Sequence, residues 1–339
     1  MKMHRALFAL ATGTALVASG MAAPARAEVS EIGIALSYGI GHLPSMMMED
    51  RKLIEKQAKA AGLGDVKVKW VRFAGAADMN TALLSGSLQF AAQGIPVLMI
   101  LWARTAGTPQ EVKGVAALSS VPMYLNTRNP NVKSLRDFTD KDRIAVPSVK
   151  VSVQAVTLQM AAEKEFGPDN FSKLDSLTVS LGHPDAQVAL LSGKSEINAH
   201  LSSPPFQYQQ LKHPGIHKVL DSYDVLGGPA SFNVVVTTKR FHDQNPKAYG
   251  AYLAALKEAV ELINSDKKGA AETYLKLSRE KTPLAEIVAM LNDPQILLTM
   301  TPQNTLKYAE FMNKVGTIKN KPSSWKDLFF PEIHALPGS

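Results

Sequence analysis

Five residues, Ala-Leu-Leu-Ser-Gly, occur twice in the chain, at Ala82–Gly86 and Ala189–Gly193, and what flanks them agrees as well. A helix-like stretch precedes each copy. The first continues through Ser87-Leu88-Gln89-Phe90 to Gly94-Ile95-Pro96, the second through Lys194-Ser195-Glu196-Ile197 to Ser203-Pro204. Both read as helix, glycine stop, short strand, small polar loop, then a proline opening another helix. Glycine suits the left-handed residue that ends a helix, and proline suits a first turn, where its missing N–H costs nothing. A unit of this kind met twice predicts two similar α/β halves.

The segment Met1–Ala27 carries Lys2 and Arg5, then an apolar run, and ends Ala25-Arg26-Ala27. It reads as a secretory signal cleaved after Ala27, which places the mature chain in the periplasm. A membrane anchor is disfavoured by Thr12, Gly13, Thr14, Ser19 and Gly20, which interrupt the run. The 339 residues include no cysteine, which excludes a lipid-acylated signal and any disulfide. Removing residues 1–27 lowers the net charge from +7 to +4, since Lys2, Arg5 and Arg26 leave and no acid does. That mild excess, without a basic run interleaved with aromatics, gives no basis for nucleic-acid binding. The remaining 312 residues exceed one ordinary core and call for two lobes.

In chain order, Val29–Leu36 alternates as a strand, and Ser37-Tyr38-Gly39-Ile40-Gly41-His42-Leu43-Pro44 forms a loop into a helix expected to run to Lys59. Met46, Met47 and Met48 on that helix read as core filler. Val66–Val71 is the next strand, and Asp78 the expected cap of the helix that reaches the first copy of the repeat. Strands are expected at Leu88–Ala92 and Val112–Leu118. Beyond the turn signal Asn129-Pro130-Asn131 the alternation begins again: strand Arg143–Val146, a loop ending in the candidate cap Ser152, helix Val153–Phe166, strand Leu177–Leu181, the second copy of the repeat, and strand Glu196–Ala199. Leu226-Gly227-Gly228-Pro229-Ala230 precedes Phe232–Thr238, the strand richest in β-branched residues, and helices fill the rest. The predicted organisation is a signal at 1–27, a first lobe at 28–128, a second at 129–229 and a return to the first at 230–339. Hinges are expected at Asn129 and Gly227, and each lobe is expected to be a mainly parallel sheet flanked by helices.

In open sheets of this type a ligand sits outside the carboxyl ends of the strands, where helices begin and their N–H groups attract polar or anionic groups. On the first lobe the residues so placed are Ser37, Tyr38, His42, Gly75, Gln93, Gly94 and Ser119. On the second they are Ser148, Val151, Ser152, His183, His200 and Ser202. Facing each other across a hinge, these loops make a cleft that closes on a small molecule. No arginine lies among them, which favours recognition by N–H and hydroxyl groups over a guanidinium clamp. Catalysis finds no support in the form of a Gly-x-Ser-x-Gly elbow, His-Glu-x-x-His, Walker loop or Gly-x-Gly-x-x-Gly, and the eight histidines show no metal spacing. The chain therefore reads as a binding protein rather than an enzyme, without cofactor or metal, and monomeric.

These segments resemble the solute-binding proteins of ABC importers of the nitrate, sulfonate and taurine type, within the thiamine-pyrimidine-precursor-like superfamily. The likeness is carried by Ile34–His42, by Ala82–Phe90, by Lys133–Phe138 with Arg143–Val146, and by Ala189–Pro204. It implies the two-lobed periplasmic binding protein fold of type II. It also implies a small polar or anionic solute of the sulfonate, nitrate, aromatic-acid or pyrimidine class, and delivery to a membrane permease. The departure from the family is at an Asp that commonly precedes the third strand, where this chain has Gln89 in one half and Glu196 in the other. A periplasmic sensor partner of a signalling receptor is the alternative, and a pyrimidine-synthase-like enzyme a more distant one, since it carries a cysteine-rich motif that this chain lacks.

Overall fold

A computed structural model describes residues 28–339; the signal expected at Met1–Ala27 lies outside the described residues. The strands in order are β1 (Glu31–Leu36), β2 (Lys67–Arg72), β3 (Phe90–Gly94), β4 (Val112–Ser120), β5 (Tyr124–Thr127), β6 (Ile144–Val146), β7 (Thr178–Ser180), β8 (Ala199–Ser202), β9 (His217–Asp221), β10 (Ser231–Thr238) and β11 (Leu297–Leu298). They form two sheets, ordered β11-β4-β10-β3-β1-β2 and β7-β6-β8-β5-β9. Read from β2 and from β7, the two share one plan: second strand, first, third, a crossing strand, fourth.

The crossing strands β10 and β5 run antiparallel to both neighbours, while β1 with β2 and β3, and β6 with β7 and β8, are parallel. Both sheets are therefore mixed. A strand arriving from the other lobe is not the product of a right-handed βαβ crossover, so nothing imposes the parallel direction on it. All eight residues of β10 are buried, which explains its near-continuous Val/Phe/Thr run.

The repeated pentapeptide occupies equivalent places in the two halves. Leu83 and Leu190 point into the core, Ser85 Oγ and Ser192 Oγ each donate to the carbonyl three residues back at 3.0 Å, and Gly86 and Gly193 end their helices at φ 80° and 62°. Identical short sequences thus make identical helix ends. The strand that follows is shifted from expectation: it starts at Phe90 rather than Leu88, and at Ala199 rather than Glu196. Gln89 Oε1 accepts the Gly33 N–H at 2.6 Å, while in the second lobe Asn198 Oδ1 accepts the Arg143 N–H at 3.0 Å. Asn198, one residue before the strand, is the counterpart of Gln89; Glu196 is an exposed partner of Arg143 at 3.7 Å.

The chain changes sheets at Val121–Met123, ahead of the boundary expected after residue 128, because β5 already belongs to the second sheet. Asn129 is a turn inside that lobe, its Oδ1 accepting the Asn131 N–H at 3.1 Å, and not a hinge. The return follows the helix Ser222–Leu226, through Gly227–Ala230. The two passages bind each other: Met123 N–H donates to Ser222 Oγ at 2.8 Å and Ser222 N–H to Met123 O at 2.9 Å.

Other local expectations are also corrected. The helix from Pro44 breaks at Lys52, whose φ of 50° is left-handed, so two helices, Leu43–Arg51 and Leu53–Ala60, replace one. Asp78 lies within the first turn of Ala76–Ser85, whose N-cap is Gly75. Ser152 does cap its helix, accepting the Ala155 N–H at 3.2 Å. Met46, Met47 and Met48 are buried core residues. The long helix Pro246–Ser265 buries Tyr252, which stacks on Phe90 at 3.8 Å, against the first sheet.

Candidate functional site: the interlobe cleft

The carboxyl ends of the parallel strands of both sheets meet across a cavity of about 70 Å³, well above the ~10–15 Å³ needed to admit a water. From the first lobe come Ser37, Tyr38 and His42 after β1, Ala74–Ala76 after β2, Gln93 and Gly94 at the end of β3, and Phe232 and Asn233 on β10. From the second come Pro147 and Ser148 after β6, Ser152–Gln154 at a helix start, and His183 after β7. Met79, Ala92 and Val97 complete the lining, which contains no charged side chain.

The lobes touch around this cavity. Ile40 N–H donates to Pro204 O at 3.0 Å, and Ala76 N–H to Ser148 Oγ at 3.3 Å. Gly39 sits at φ 99°, and a Cβ there would stand 3.0 Å from Pro204 O, so a side chain would be strained twice over. A second set of ties lies on the flank, where Gln209 Nε2 donates to Glu280 Oε2 at 3.1 Å and Thr282 Oγ1 at 2.7 Å, and Lys212 pairs with Glu286. The conformation is closed.

Three helices at the cavity, Ala76–Ser85, Ile95–Thr105 and His183–Ser192, begin after glycines that give no side-chain cap. Their leading N–H groups therefore face the cleft region without an intrahelical partner. His42, His183 and His200 are neutral, because burial disfavours their charged forms. Burial brings His42 down to about 3, with a lesser contribution from His183 and Arg72, and brings His183 down to about 4. His200 is likewise held well below its ordinary value, by burial and then by His183. His42 Nε2 lies 3.1 Å from the side-chain amide of Asn233, and His42 Nδ1 has no partner among the described residues.

Gln93 is the least satisfied side chain among the described residues: it is 4% exposed and neither atom of its amide has a partner there. A buried polar group left unpaired costs about 1–3 kcal/mol. Such an amide on a cavity wall is arranged for something that enters the cavity.

Of the residues read from sequence, Ser37, Tyr38, His42, Gly75, Gln93, Gly94, Ser148, Ser152 and His183 line the cavity. Ser119, Val151, His200 and Ser202 do not. Ser119 is fully buried on β4 opposite Asn233, one layer beneath. Val151 closes a tight turn, its N–H on Val149 O at 2.8 Å. His200 and Ser202 lie within β8 rather than in a loop after it, and both reach Gln210 instead. Gln154, Phe232 and Asn233 were missed. Asn233 had a signal, a lone amide within an apolar strand; Gln154 had only its place just inside a helix start.

The shared sheet plan and a cleft at the strand ends are those of the periplasmic binding proteins. The alkanesulfonate-binding protein SsuA from Xanthomonas axonopodis pv. citri, solved with MOPS, superposes with a TM-score of 0.66 at 17% identity, covering 89% of this chain and 97% of that one. The aliphatic sulphonate binding protein SsuA from Escherichia coli gives 0.63 at 18% identity, with 89% and 92% covered. The nitrate-binding protein NrtA from Synechocystis PCC 6803 gives 0.59 at 15%, with 80% and 74% covered. A comparison with curated protein sequences finds no match. The sequence model of the NMT1-like family matches residues 25–277, and the chain belongs to that family.

Proposed function

We propose that this chain is the periplasmic solute-binding component of an ABC importer, holding one small polar or anionic solute between its lobes and handing it to a membrane permease. The observation that carries the reading is the Gln93 amide, buried and doubly unpaired on the wall of an interlobe cavity. Its oxygen and nitrogen call for a ligand with both accepting and donating edges, or with an acceptor that leaves room for a bridging water. The absence of charged side chains from the lining, together with uncapped helix starts, supports recognition by N–H dipoles over ion pairing. Sulfonates and nitrate are the solutes named for similar structures; aromatic acids and pyrimidines share the required edges.

The test is the melting temperature of the chain from Glu28 onward, unfolded and refolded to remove carried-over solute. The panel is nitrate, bicarbonate, alkyl and aromatic sulfonates, aromatic carboxylates and thiamine pyrimidines. A solute at 100 times its Kd stabilises by about 2.7 kcal/mol, a shift of a few degrees. A panel without a single shift would remove these classes. Delivery to a permease is tested by uptake of the stabilising solute in cells with and without the protein.

A further inference from the structure

Behind the second lobe's wall of the cavity lies a continuous line of buried side chains: Asn126 on β5, Gln210, His200 on β8, and His183. We propose that this line is a positioning device that fixes the amide of Gln154, turning its NH2 toward the cavity so that the second lobe meets the ligand as a hydrogen-bond donor. The proposal rests on the reading of the cleft as a solute site and adds which edge of the solute faces this lobe.

The order of protons along the line follows from its far end. Asn126 Nδ2 lies 3.0 Å from the backbone oxygen of Gln207 and 3.0 Å from Gln210 Oε1. A backbone carbonyl only accepts, so the Asn126 nitrogen must face it, and that nitrogen's second proton requires the Gln210 oxygen. Ser202 Oγ, 3.3 Å from the same Gln210 oxygen, adds a second donor to it. The Gln210 nitrogen is then committed to His200 Nδ1 at 2.8 Å. An amide nitrogen only donates, so Nδ1 accepts and the single proton of neutral His200 sits on Nε2. That proton goes to His183 Nδ1 at 2.9 Å, which forces the His183 proton onto its own Nε2. Burial keeps both rings neutral, without which the order would fail.

His183 Nε2–H has the Gln154 amide at 3.1 Å and Ser203 Oγ at 3.4 Å. With its nitrogen toward His183, Gln154 would set donor against donor; turned by half a rotation about its last bond it accepts, and its NH2 occupies the other amide position. That position has no hydrogen-bond partner among the described residues, and Gln154 lines the cavity. The backbone oxygen of Gln207, four side chains away, thereby decides which atom of Gln154 the solute meets. Gln93, by contrast, has no such control and is free to turn either way.

The experiment is long-range 1H–15N correlation of the histidine rings in the 15N-labelled chain from Glu28 onward at pH 7, which requires no ligand. The expected result is the Nε2–H tautomer for both His183 and His200. A proton on Nδ1 of either ring overturns the proposal. Gln154→Met removes the acceptor, so exchange of the His183 Nε2 proton should quicken by roughly tenfold, while Ser203→Ala should leave it unchanged. The reverse pattern assigns the acceptor to Ser203 and overturns the proposal. Titration with methanesulfonate then separates the two readings. Shifts at the side-chain NH2 of both Gln93 and Gln154 support this proposal, and a shift at Gln93 alone overturns it. A shift at neither counts against sulfonates as the solute while the tautomers stand on their own result.

Discussion

The two walls of the cleft carry the same kinds of side chain and treat them differently. On the first lobe, among the described residues, the His42 ring is tied to Asn233 alone, and the Gln93 amide beside it has no partner. On the second, His183 is tied to His200, then to Gln210 and Asn126, and Gln154 sits at the end of that line. One wall leaves its amide adaptable; the other pins it. A buried amide without a partner is a cost to the folded protein, whereas one that completes a network is a support, so the walls should answer to substitution with opposite sign.

Acid is the harshest way to compare them. A histidine whose folded pKa is depressed binds its proton more readily when the chain is unfolded, so stability is full above the unfolded value near 6.5 and falls as pH drops toward the folded value. The window for His183 runs from about 6.5 to about 4, and for His42 to about 3. Each contributes up to about 1.4 kcal/mol per pH unit. The second lobe holds two such groups and the first one. Urea unfolding between pH 7 and pH 4.5 should lose about one proton's worth of slope in His42→Asn and in His200→Asn, and close to two when His183 and His200 are both replaced. Equal slopes in all variants would break the comparison.

The glutamines come next. Gln93→Leu should weaken solute binding by roughly tenfold to a hundredfold, while raising the stability of the protein without solute by about 1 kcal/mol, because it removes an unpaired amide. Gln154→Leu should lower stability by about 1–3 kcal/mol, since it strips the acceptor from His183. Thermal melts without solute and titrations with the stabilising solute read both; changes of the same sign in the solute-free melts would show the walls to be alike.

Smaller still is the effect at the repeated helix ends. Gly86→Ala and Gly193→Ala each place a side chain in a left-handed conformation, at about 1–2 kcal/mol. Space around Gly86 is open, but a Cβ at Gly193 would displace the Arg128 guanidinium, which donates to Leu190 O at 2.9 Å. Gly193→Ala should therefore be the worse of the two, and Arg128→Ala should bring them level. The smallest change is expected at Gln209→Ala on the cleft flank, where loss of the part-buried ties to Glu280 and Thr282 should alter solute dissociation by about 1 kcal/mol.

What could be read in the sequence was local. The pentapeptide with its glycine, the Ser152 cap, the β-branched run of β10 and the glycine and proline punctuation depend on neighbours a few residues apart, and the structure keeps each of them. Nine residues placed from strand ends and helix starts reach the cavity for the same reason: where a helix begins is a local matter, and the topology brings those beginnings together. The errors share an origin too. Asn129 has the sequence of a turn whether the turn lies between lobes or inside one, and only the pairing of β5 with β8 and β9 decides which.

His200 shows the limit most plainly. A histidine near a strand end reads as a loop residue, yet the register that sets it opposite Asn126 and beside Ala145 turns it inward, away from the solute and toward Gln210. Strand register depends on hydrogen bonds to segments more than fifty residues distant, and a slip of one residue exchanges the faces of the sheet. The sequence by itself determined that there would be two α/β halves, where their helices stop and start, and which loops gather polar groups. The tertiary structure decided which histidines face the cleft and which stand behind it, that Gln93 goes unpaired while Gln154 is held, and where the chain passes between lobes, because each of these depends on which distant backbone atom a side chain finds within reach.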